Sequence, residues 1–89
     1  MKEKPLSKRE YVENGSEQSL VLFNDDYNTF DYVIKALVEV CGHDPLQAEQ
    51  CAVITHFNGS CEVKSGSVKI LVGMRNRLSN RDLSSEINS

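Results

Sequence analysis

A chain of 89 residues makes one small domain that buries only about 60–65% of its extended surface, so any site has to be a surface pocket. Ten Lys and Arg against 13 Asp and Glu give a formal net charge of −3, which excludes a nucleic-acid binder that needs clustered cations for phosphate. No run approaches the ~20 apolar residues of a membrane span and no signal-peptide core is visible, so a soluble cytoplasmic monomer is expected.

Residues 1–18 are polar and mixed in charge, with Pro5 and Gly15 among them. Such a segment cannot bury enough apolar surface to offset its ordering entropy, so a flexible extension is expected there, with the core domain over 19–89. Leu20-Val21-Leu22-Phe23 are four apolar residues in a row and predict a buried strand. Asn24-Asp25-Asp26-Tyr27-Asn28 then predicts a loop, because Asn and Asp bond their own backbone and favour turns. Asn28 reads as the N-cap of a first helix, with Asp31 at N3 to suit the positive helix end. The loop thus offers an amide and two carboxylates, a site for something that donates hydrogen bonds and carries positive charge.

The first helix runs from Thr29 to about Cys41. Phe30, Val33, Ile34, Leu37, Val38 and Cys41 recur at helical spacing, a stripe that is mostly core. Only Phe30 and Val33, in the first turn, can also line a pocket beside the loop. Gly42 suits the left-handed position that follows. Asp44 caps a second helix with Pro45 at N1 and Gln47 at N3, and Gly59 ends it after about Phe57. Leu46, Ala48, Cys51, Ala52, Val53, Ile54 and Phe57 make this helix apolar nearly all round, which predicts burial on more than one side. Ala52, Thr55 and His56 share a face at i, i+3 and i+4. His56 either compensates the helix dipole or serves a site, whereas His43 reads as structural.

Ser60-Cys61-Glu62-Val63-Lys64 alternates and predicts a strand, with Ser65-Gly66 as a turn and Ser67 as the next N-cap. A third helix covers Val68 to Leu78, weakened by interior Gly73, and stops at Asn80. Leu83 to Ile87 alternates again. The expected fold is α+β, in the order β-α-α-β-α-β, with three helices packed on a small, mainly antiparallel three-stranded sheet.

Cysteines 41, 51 and 61 are odd in number and lack a CxxC spacing, so they read as buried free thiols rather than disulfides or a zinc site. Cys51 and His56 lie about 140° apart around a helix and point away from each other. Asp25 and Asp26 alone are too few oxygen ligands for a hard cation. Neither a cofactor nor an enzymatic centre is expected.

Leu22-Phe23-Asn24-Asp25-Asp26-Tyr27 ahead of an amphipathic helix, followed by a second helix ending Thr55-His56-Phe57-Asn58-Gly59, resembles the ClpS family from about Leu20 to Val63. These are small adaptors that bind the first residue of N-degron substrates and hand them to a Clp-type Hsp100 unfoldase. The resemblance implies that Asn24, Asp25, Asp26 and His56 bind the substrate's α-amino group. It implies that Asn28, Phe30, Val33, Ala52, Thr55 and Leu83 wall a pocket for a bulky hydrophobic first side chain. The implied partners are the N-terminal domain of a ClpA- or ClpC-like unfoldase and N-degron polypeptides, with no metal involved. Asn28-Thr29 replaces the family's usual Thr-Pro, while Phe30 and Ala52 replace methionines and Thr55 replaces a valine, so the pocket is reshaped.

Chemistry agrees with the implied roles. An α-ammonium has three donors, and removing it from water costs several kcal/mol unless each finds an acceptor. An amide oxygen, a carboxylate and a neutral imidazole form such a set, and binding should then weaken at acidic pH where histidines take up a proton. The alternative is a non-catalytic structural or ribosome-associated αβ interaction domain, in which Asn24-Asp25-Asp26 is a solvated turn and no pocket exists.

Overall fold

The computed structural model describes residues 17–88. The expected extension therefore lies outside the described residues except at its end, where Gln18 already opens the first strand. The elements run β1 (Gln18–Phe23), α1 (Phe30–Cys41), α2 (Pro45–Asn58), β2 (Ser60–Gly66), α3 (Val68–Ser79) and β3 (Ser85–Asn88). β1 is central in a three-stranded sheet and pairs antiparallel with β2 and with β3. The predicted order and sheet are those observed.

Leu20 and Leu22 project from β1 into the core, while Val21 and Phe23 on the alternate face stay half-buried. The apolar run is thus one face of a half-covered strand, not a strand buried on both sides. Against the two leucines pack Leu37 and Cys41 of α1, Ala48 and Cys51 of α2, Val63 of β2, Leu71 and Leu78 of α3, and Leu83. α1 buries Ala36 and Val40 as well, and Phe30, in its first turn beyond the core, is 44% exposed.

Helix starts follow capping chemistry. Asp44 accepts from the Gln47 amide with Pro45 at N1, and Ser67 accepts from Ile70, both as expected. At α1 the cap is Thr29, whose hydroxyl accepts from the Tyr32 amide, not Asn28. Asn28 is held by Asp25 instead, so the helix starts one residue later and Asp31 falls at N2. Ser65 and Gly66 extend β2 rather than turning, because they pair with Ser19 and Gln18. β3 begins two residues later than the alternation suggested, since Leu83 is drawn back to α3 by its N–H bond to the Leu78 carbonyl.

The largest departure is α2. Only Ala48, Cys51, Ala52 and Thr55 are buried, and Leu46, Val53, Ile54 and Phe57 are exposed by 63, 41, 42 and 76%. Burial on more than one side does not occur, because the helix covers the sheet with its small residues and nothing among the described residues packs on its outer face. Cys41 and Cys51 are buried free thiols and Cys61 is half-buried. His43 is buried with Nε2 against the Val63 carbonyl, a structural role as expected.

Candidate functional site

Three segments distant in sequence meet at one end of the sheet. Phe23, the last residue of β1, pairs with Ser60. The next N–H, that of Asn24, donates to the Gly59 carbonyl at 2.9 Å. Gly59 ends α2 at φ 93°, its own N–H donating to the Thr55 carbonyl. That left-handed conformation is one glycine adopts at no steric cost. The Asn-Asp-Asp loop therefore begins one hydrogen bond away from the turn of α2 that carries Thr55 and His56.

Asp25 shapes the loop. One carboxylate oxygen accepts from the backbone amides of Tyr27 and Asn28 at 2.9 and 2.8 Å, and the other accepts from the Asn28 side chain at 2.9 Å. Burial raises the pKa of the Asp25 carboxyl, but the hydrogen bonds from Asn28 and Tyr27 outweigh it and hold the group below its ordinary value. The third segment is the turn after α3. The Asn28 side chain donates to the Asp82 carbonyl at 3.2 Å and the Tyr32 hydroxyl to the Arg81 carbonyl at 2.8 Å. Asp82 turns the chain at φ 62°, and the next residue, Leu83, is buried at the site.

Between the three segments lies an open cavity of about 260 Å³. Asn24, Asp25, Asp26, Asn28, Phe30, Val33, Ala52, Thr55, His56 and Leu83, the whole set singled out from sequence, line it together with Leu22, Phe23 and Thr29. The last three were missed, although Leu22 and Phe23 directly precede the polar loop and Thr29 follows it. Burial grades the cup from rim to base. Asn24, Asp26, Phe30 and His56 are exposed, whereas Leu22, Ala52, Thr55 and Leu83 are buried. The Thr55 hydroxyl donates to the Cys51 carbonyl at 2.7 Å, which satisfies it inside its own helix and leaves the base less polar than a threonine suggests.

Among the described residues the side chains of Asn24 and Asp26 make no hydrogen bond, so their oxygens stand open at the rim. The His56 ring meets Phe30 edge-on at 5.1 Å and 64°, and Phe57 at 4.9 Å and 84°, contacts that fix its orientation. Among the described residues no group of three His, Cys, Asp or Glu side chains could hold a metal ion. No helix there is long and apolar enough to cross a membrane.

Fold and site together define a small α+β domain with an open surface cup, rich in hydrogen-bond acceptors at the rim and apolar below. The family model described as ATP-dependent Clp protease adaptor protein ClpS matches residues 13–86. The structure of Agrobacterium tumefaciens ClpS2 bound to L-phenylalaninamide superposes with a TM-score of 0.78 at 17% identity, over 84% of this chain and 98% of that one. No curated protein matches the sequence. The chain belongs to the ClpS family, the adaptors of the ATP-dependent Clp protease.

Proposed function

We propose that this adaptor grips the free α-amino end of a substrate polypeptide, lodges a bulky hydrophobic first side chain in the cup, and delivers the chain to a Clp-type unfoldase. The observation that carries this reading is the graded cup, in which the acceptors of Asn24, Asp26 and His56, unpaired among the described residues, surround the opening to an apolar base. An α-ammonium there meets an amide oxygen, a carboxylate and an imidazole, one acceptor for each donor. An internal backbone amide has one donor and no charge, and leaves that set unsatisfied. Asp25 acts at one remove, since its oxygens hold the loop that presents Asn24 and Asp26. L-phenylalaninamide, the ligand of the ClpS2 structure, supplies the same pair of features: an α-amino group and an aromatic side chain, with an amide where a peptide would continue.

Burying the first side chain contributes about 1.5–3 kcal/mol, and with the ammonium contacts affinity near 1 μM, about −8 kcal/mol, is expected. An adaptor has to release its cargo, and that range allows it. The test uses peptides starting with Phe or Leu, with and without an acetylated N-terminus. Binding followed by fluorescence anisotropy is expected only for the free amine, and to fall about tenfold or more in His56→Ala, the scale of a hydrogen bond to a charged group. Equal binding of the acetylated peptide overturns the reading.

A further inference from the structure

On α2 the ladder that faces away from the sheet, Leu46, Gln50, Val53 and Phe57, is apolar at three of its four positions. Leu46, Val53 and Phe57 lie within about 40° of one another around the helix, opposite buried Ala48 and Thr55, with Ile54 on their flank. Leu46, Val53, Ile54 and Phe57 are exposed, Leu46 and Phe57 by 63 and 76%, and a mainly apolar stripe, interrupted by Gln50, on so small a domain marks an interaction surface.

We infer that this stripe is a track for the substrate polypeptide beyond its first residue, so that the adaptor reads apolar side chains at about positions two to five as well as the chain end. This inference rests on the reading of the cup given under Proposed function. Continuity names the occupant. Phe57 closes the stripe at one end and packs edge-on against His56, which lines the cup. From there to Leu46 the stripe runs 11 residues of helix, about 16 Å, the length of about five residues of extended chain. A substrate held by its amino group at the rim has its following residues at the start of this track.

Size argues against a second copy of the chain. Four partly exposed side chains offer at most a few hundred Å², short of the ~800 Å² per partner that a stable association buries. A peptide segment needs no more than the stripe provides.

The test compares three ligands on the full chain: L-phenylalaninamide, a Phe-started hexapeptide with Leu and Val at positions two to five, and the same hexapeptide with Gly and Ser there. The apolar hexapeptide is expected to bind about tenfold tighter than the Gly-Ser one. The double variant Leu46→Ser, Val53→Ser, at exposed positions away from the cup, is expected to abolish that advantage and leave phenylalaninamide affinity unchanged. Equal affinity of the two hexapeptides, or an advantage that survives the double variant, overturns the track while leaving the cup intact. An apolar hexapeptide that binds as well when acetylated overturns both. Sedimentation showing a dimer that the double variant dissolves gives the stripe to a second copy, and loss of binding to a purified Clp-type unfoldase with peptide affinities unchanged gives it to the unfoldase. Either result overturns the track.

Discussion

Asp25 and Asp26 are adjacent in sequence and differ completely in surroundings. Asp25 accepts three hydrogen bonds from its own loop, whereas the Asp26 side chain is exposed at the rim of the cup. Because the folded pKa of Asp25 is depressed from its ordinary 3.8, its contribution to stability is present above that value and is lost as pH falls through the lower, folded one. Wild type is therefore expected to exceed Asp25→Asn in urea midpoint at pH 7, with the gap narrowing by pH 3. The resemblance to the ClpS family made the cup's membership readable, and residue chemistry agreed with it, since an amide oxygen, a carboxylate and an imidazole suit the proposed ammonium. Residue types and spacing did not reveal that Asp25 would claim Asn28, and so the cap of α1 was placed one residue early. Two capping-competent residues in succession are settled by tertiary hydrogen bonds, here from Asn28 to Asp25 and Asp82.

Among elements, the end of α2 governs the site. Gly59 stands at φ 93°, and a Cβ built there meets nothing within 4 Å. Gly59→Ala therefore isolates the backbone cost, about 1–2 kcal/mol for an L-residue in that conformation. Thermal unfolding is expected to show that loss, and peptide affinity to fall with it, because the Gly59 carbonyl anchors Asn24. The punctuation of α2 was legible, as Asp44, Pro45 and Gly59 have local jobs with local physics. The direction its apolar residues face was not. Composition shows that a helix is apolar all round, but only the packing shows that Ala48, Cys51, Ala52 and Thr55 take the inner side and leave Leu46, Val53 and Phe57 outside.

For the whole molecule, the order of helices and strands followed from hydrophobic period and caps. Strand edges were less readable, because Ser65-Gly66 has turn chemistry yet is recruited by pairing with Ser19 and Gln18. The same packing quiets Cys41 and Cys61 and shields Cys51 by burial. Burial pushes the Cys41 thiol up to about 11, and burial, then a hydrogen bond shared with Cys51, pushes Cys61 up to about 12. Only thiolates react readily, so a chromogenic disulfide reagent at pH 7.5 is expected to label the native protein very slowly and all three cysteines at once in denaturant.

The cup takes its wall from the ends of β1 and α2 and from the turn that delivers Leu83, and the hydrogen bonds from Asn24 to Gly59 and from Asn28 to Asp82 are what knit those pieces together. An occupant that spans the cup consequently acts as a brace. A ligand at 100 times its dissociation constant adds about 2.7 kcal/mol to the folded state, a large increment for a domain this small. Under the proposed function cargo and carrier reinforce one another, so that the loaded protein is the sturdier body when an unfolding machine begins to pull.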